Sequence, residues 1–316
     1  MSAQSSAIAP ERNPLSPVPA GVTRAGLGWG LVGVTAFSFT LPLTRIALEG
    51  LSPLFIGAGR AVVAGLLAAV VLAVTRQAVP DPRQWARLLV VAGGVVIGFP
   101  LLTSYALTEV PASHGAVVIA LLPAATAVIA VVRTGERPVR AFWVFSSCGA
   151  AAAIGFALVQ GGGLTQLHRA DVLLFAGVVL CATGYAEGGL LTREIGSWQT
   201  ISWALVAALP VMVVLTATSV AQEPPTGSVR DWACFAYLAT TSMYLGFFAW
   251  YRGLAIGPMA QVSQVQLVQP LLSLTWAALL LGEVITATTF VGGLAVIVLA
   301  GAATSSRART ARARPS

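Results

Sequence analysis

Pro258–Glu283, PMAQVSQVQLVQPLLSLTWAALLLGE, decides how the rest of the chain is read. The stretch is apolar enough to cross a bilayer, with a proline in its middle and a glutamate at its end. An echo lies 147 residues earlier, at Pro111–Glu136, PASHGAVVIALLPAATAVIAVVRTGE. Pro111, Pro123, Gly135 and Glu136 fall on Pro258, Pro270, Gly282 and Glu283 without a gap, and Leu107 and Leu254 extend the match upstream. Proline and glutamate are sparse in this chain, so the correspondence marks an internal repeat.

The surrounding composition sets the environment. Of 316 residues, 57% are hydrophobic and 9% charged, against about 25% charged in soluble domains, and the mean hydropathy is +0.84. These values point to a polytopic membrane protein. Setting aside the polar ends leaves room for ten spans of about 20 residues. Backbone groups in lipid must be paired internally, which allows helices or a closed barrel. The apolar runs are continuous rather than alternating, so the barrel is excluded. The expectation is an all-α membrane protein with ten transmembrane helices.

Residues 1–24, rich in Ser, Pro and Ala, read as a disordered tail without the apolar core of a signal peptide. Residues 25–160 hold the first repeat, helices 1–5, and residues 171–304 the second, helices 6–10. Residues 305–316 form a basic tail with Arg307, Arg309, Arg312 and Arg314. The net charge is +7, carried by arginine without a single lysine. Its placement in loops and tails speaks for membrane topology rather than nucleic-acid binding. With both termini cytoplasmic, 14 arginines face the cytoplasm and only Arg45, Arg169 and Arg230 face outward, leaving Arg60 inside a helix. Five spans per repeat force the second copy to enter from the opposite side. The arginines agree: the loops after helices 2 and 4 hold six, and those after helices 7 and 9 hold Arg230 alone. Inverted repeats are a mark of secondary transporters.

With these features the chain resembles the drug/metabolite transporter superfamily and, within it, the ten-helix EamA type, over nearly all of residues 27–304. The resemblance rests on the twin Pro…Pro…GlyGlu pattern, the turns YALTEVPA and YRGLAIGPMA before helices 4 and 9, and Arg60 in helix 2. It implies a basket of helices around a cavity lined mainly by helices 1, 3, 4, 6, 8 and 9. It also implies movement, often export, of small organic metabolites such as amino acids or nucleoside-like solutes. Helix 7 carries Ala208 roughly where helix 2 carries Arg60, so that arginine is not duplicated.

Several residues are candidates for contact with a solute. Pro123 and Pro270 lie 12 residues beyond the proline that opens each helix, about 18 Å along the axis and near the membrane centre. Each removes a backbone hydrogen bond and bends its helix, either as a packing bend or to shape a cavity and its gating. On helix 9, Gln266, Gln269, Ser273 and Trp276 share one helical face. Amides are costly in hydrocarbon, so cavity lining is favoured over interhelical hydrogen bonding. Tyr244 is central in a Tyr-rich stripe of helix 8, and Tyr105 lies near the outer end of helix 3. Glu187, inside helix 6, is read either as a group that takes a proton or an amine, or as a partner for Arg193 or Arg252. Arg60 is read first as a structural group binding backbone carbonyls at neighbouring helix ends, and second as a site for an anionic group. Glu136 and Glu283 are expected to anchor the starts of the helices that follow them. His114 is expected at an exposed interface.

Cys148, Cys181 and Cys234 lack metal spacing and read as packing residues. There is no phosphate-binding GxxxxGK[ST] stretch, no HExxH or GxSxG, and no TVGYG filter. The expectation is a monomeric, cofactor-free carrier in the cytoplasmic membrane whose partners are a small solute and the bilayer. A passive channel is the first alternative and an intramembrane enzyme a remote one.

Overall fold

The computed structural model describes residues 20–135, 139–160, 168–256 and 262–312. Glu136 lies outside the described residues. Among those described, the regular structure is entirely helical. In chain order, α1 is Arg24–Ala47, α2 Pro53–Val74, α3 Pro82–Ala106, α4 Ala112–Arg133, α5 Arg140–Val159, α6 Arg169–Ile195 and α7 Ser197–Gln222. Next, α8 covers 229–256, α9 is Val265–Leu281 and α10 is Ala287–Ser306. Eight of these, α1 to α7 and α10, are long and apolar enough to cross a bilayer. The apolar α9 is shorter over the described residues, and its first residues belong to a 3₁₀ stretch, Ser263–Val268.

The repeat seen in sequence is repeated in local chemistry. Asp81 opens α3 with a reciprocal cap: Gln84 N donates to Asp81 Oδ1 at 2.8 Å, and Asp81 N donates to Gln84 Oε1 at 3.0 Å. At the equivalent position Ser228 opens α8, its N–H donating to Asp231 Oδ2 at 2.7 Å. Each pair satisfies helix-end N–H groups that have no partner along the helix. Both helices then widen into a π-helical stretch, Ala92–Gly98 in α3 and Leu238–Leu245 in α8. Gly135 (φ 69°) and Gly282 (φ 66°) end α4 and α9 in the left-handed conformation that glycine adopts without a Cβ clash.

Packing follows the same symmetry. The repeat equivalents α2 and α7 lie against each other, as do α5 and α10. The first helix of each repeat packs on the third and fourth of the other, α1 on α8 and α9, and α6 on α3 and α4. The α3–α6 contact is close because Gly184 lacks a side chain, and a Cβ there would sit 2.8 Å from Val95 Cγ1. The largest of three apolar clusters among the described residues therefore runs through both repeats. Outward, Leu66, Val70, Val74, Val214, Leu279 and Val298 are exposed, an apolar surface suited to lipid. The chain is a multi-pass membrane protein.

Candidate functional site

Two adjoining cavities lie where the repeats meet. The larger, about 30 Å³, is walled by Thr40 (α1), Val95 (α3), Leu122 (α4), Tyr185 (α6), Ser242 (α8) and Gln269 (α9). Arg60 of α2 completes its lining. The smaller, about 10 Å³, is lined by Pro123, Gln266, Pro270 and Ser273 among others, and shares Leu41, Ile119, Leu122 and Gln269 with the first. The larger has room for about two water molecules. A metabolite needs the helices around it to move apart.

The prolines account for the shape of this centre. The chain turns at Ala120–Leu121, and helix resumes at Leu122 with Pro123 in its second position. In the other repeat the tight 3₁₀ stretch Ser263–Val268 gives way to Gln269–Leu281, with Pro270 in the second position. Proline fits the first turn of a helix because no bond to its missing N–H is required there. Both prolines line the smaller cavity, at breaks rather than at smooth bends. A 3₁₀ turn superposes residues three apart, so Gln266 and Gln269 share a face.

Gln266 is buried, and among the described residues its Nε2 meets no acceptor. Gln269 is half-buried, and among the described residues its Oε1 meets no donor. Ser273 also reaches the cavity, while its Oγ donates to Ser38 O at 2.9 Å. Trp276 does not join them. Its Nε1 donates to Ser38 Oγ at 2.9 Å, and its ring stacks on Phe39 at 4.4 Å between centroids. It ties α9 to α1.

Other expectations need correction. Tyr244 shares a hydrogen bond with Ser202 Oγ at 2.9 Å, so its hydroxyl is engaged with α7 and it lines neither cavity. Tyr105 is half-buried and also lies outside both linings. Glu187 pairs with neither Arg193 nor Arg252. Arg133 Nε donates to its Oε2 at 2.8 Å, and Arg87 donates to its Oε1 and to Glu194. These four side chains fasten α6 to α3 and α4, away from the cavity lining. Glu283 does not cap the helix that follows it. Its two oxygens accept from Ala112 N and Ser113 N, both at 2.8 Å, so it caps α4 of the other repeat. His114 is buried rather than exposed, with Nε2 2.7 Å from Asp171 Oδ1.

Arg60 departs furthest from its first reading. It is 1% exposed, and among the described residues no backbone carbonyl or other acceptor takes up its Nε or Nη2. Among the described residues no carboxylate lies within ion-pair distance of it. Sequence reasoning also missed Thr40 and Ser38. Thr40 Oγ1 and Ser242 Oγ share a 2.7 Å bond on the cavity wall. The available signal was the hydroxyl-rich break SFTLP inside an apolar helix.

The EamA-like transporter family matches the chain twice, over residues 24–158 and 168–306. The chain belongs to this family. Each EamA match covers one of the repeats described above. A relative in Bacillus subtilis (strain 168), described as "Uncharacterized transporter YdeK", is 46% identical, over 87% of this chain and 96% of its own length. A "Probable terminal-alkyne amino-acid exporter" from Streptantibioticus cattleyicolor is 27% identical, over 90% of this chain and 96% of its own. A solved crystal structure shares the fold at TM-score 0.61 and 17% identity, covering 90% of this chain and 98% of the other.

Proposed function

We propose that the protein is a secondary transporter that carries small organic metabolites, such as amino acids or nucleoside-like solutes, across the cytoplasmic membrane by alternating access, in the outward direction. The observation that carries this reading is the pair of small cavities between the two repeats, walled by helices of both and flanked by a proline-marked break in each. In this reading all ten helices span, the repeats are inverted, both termini are cytoplasmic and one chain suffices. The export of an amino acid named for the Streptantibioticus relative supports the cargo class and the direction.

The polar contacts at the two ends of the bundle suit such a cycle. The Arg87, Arg133, Glu187 and Glu194 cluster joins α6 to α3 and α4 on the arginine-rich side, the cytoplasmic side in this reading. Glu283 joins the end of α9 to the start of α4 on the other. Opening to one side releases one set while the other holds. Counterflow in proteoliposomes, with amino acids, nucleosides and amines as candidate solutes, tests the proposal. A carrier shows saturation and trans-stimulated exchange. Linear flux without counterflow identifies a passive channel instead.

A further inference from the structure

We infer that Arg60 is an anion-binding residue of the transport cavity, and that the solute it receives carries a carboxylate. The inference rests on the transporter reading for the word solute, but not for the binding itself.

Three observations converge. Arg60 is buried, lines the larger cavity, and leaves Nε and Nη2 without an acceptor among the described residues. A guanidinium stays charged at any physiological pH and offers paired N–H groups in a fork that matches a carboxylate. A buried charge with no counter-ion is unfavourable, so the site is completed by an anion that enters it.

Among the described residues the neighbouring elements hold no internal substitute: buried Asp231 of α8 accepts from Ser228 N and Oγ. Glu187 is taken by Arg87 and Arg133, Asp171 faces His114, and Glu283 is bound to the start of α4. The rest of the larger lining is apolar or uncharged, with Thr40, Ser242 and Gln269 supplying polar groups. Gln266 adds a donor without partner in the adjoining space. An organic acid thus finds one fixed cation, neutral hydrogen-bonding groups and apolar walls. A purely cationic amine meets a like charge and is disfavoured.

The experiment reads binding rather than flux. The purified full chain in detergent is titrated with small carboxylates, from acetate to aromatic amino acids, each against its own neutral carboxamide and against sodium chloride, and the thermal midpoint is recorded. At least one acid is expected to raise the midpoint saturably, with its amide at least tenfold weaker. Arg60→Gln is expected to abolish that shift. Arg60→Lys is expected to keep the preference for acid over amide with weaker binding, because it keeps the charge and loses the fork. Should Arg60→Gln yield no folded protein, Ser242→Glu answers the same question. It places a carboxylate on the cavity wall, in the segment packed against α2, and is expected to occupy Arg60 and eliminate acid binding.

Amides that match their acids, the lack of a shift with every acid, or a shift that survives Arg60→Gln or Ser242→Glu would each overturn the inference. So would an Arg60-dependent shift with chloride that no carboxylate displaces, which assigns the site to an inorganic anion. Failure of counterflow leaves a positive binding result intact, and failure of binding leaves the carrier reading intact.

Discussion

Glu283 and the start of α4 are 171 and 170 positions apart in sequence, yet both carboxylate oxygens close on backbone N–H groups there. The first N–H groups of a helix have no partner along the chain, and the helix dipole favours an anion beside them. Glu283→Ala removes both acceptors and is expected to cost about 1–2 kcal/mol. The check is a lowered thermal midpoint in detergent, with Glu283→Gln falling between the variant and the parent because it keeps one acceptor oxygen. Equal midpoints for all three proteins would show that solvent replaces the cap without loss. The same residue shows what sequence can and cannot reveal. That Glu283 caps a helix was legible from its place in the motif, and that the helix belongs to the other repeat was not. His114 and Glu187 were misread for the same reason. Their partners Asp171, Arg87 and Arg133 come from distant segments, and neighbouring residues along the chain offer no sign of them.

The helices most concerned with the cavity are the irregular ones, and each irregularity has a local cause. Pro123 and Pro270 were legible as departures from a straight helix, because proline removes a helix hydrogen bond and the two recur in register. The 3₁₀ stretch that aligns Gln266 with Gln269 was not, because no residue in SQVQLV demands it. Pro270→Ala permits regular helix through this point and is expected to move the two amides from superposition to about 60° apart around the axis. Initial counterflow rates should fall several-fold while the protein stays monodisperse, and an unchanged rate would make the break a packing feature alone. At the other end of the same framework, Glu187 holds α6 against α3 and α4. Glu187→Gln leaves Arg87 and Arg133 without that carboxylate, and a broken buried pair is more costly than none. Cys181 lies on α6 six residues before Glu187 and lines the cavity, so it reports on this joint. With Cys148 and Cys234 replaced by serine, N-ethylmaleimide should label Cys181 several-fold faster in Glu187→Gln than in the parent, whereas equal rates would mean that the cluster does not hold the bundle shut.

For the molecule as a whole, the register of 147 residues reaches beyond the motif that revealed it. It relates the caps at Asp81 and Ser228, the π-helical stretches of α3 and α8, and Gly135 with Gly282. Only the last pair was legible as identical residues. Asp and Ser perform one capping role with different atoms, and a π-helical stretch depends on packing more than on composition. The mutual packing of α2 with α7 and of α5 with α10 is what a two-fold axis between the repeats requires. An axis lying in the membrane plane makes the two halves antiparallel, and the arginine distribution then decides which side is cytoplasmic. Val79 follows α2 and Val284 follows α9, and both are strongly exposed, at 72% and 84%. If the halves are inverted with both termini inside, the segments after α2 and α9 lie on opposite faces. In intact cells, and with the native cysteines replaced, a membrane-impermeant maleimide should therefore label Val284→Cys directly and Val79→Cys only after permeabilisation. Labelling of both from the same side would leave an even number of crossings between them. The two repeats would then be parallel, and the opposed arrangement on which alternating access rests here would be lost.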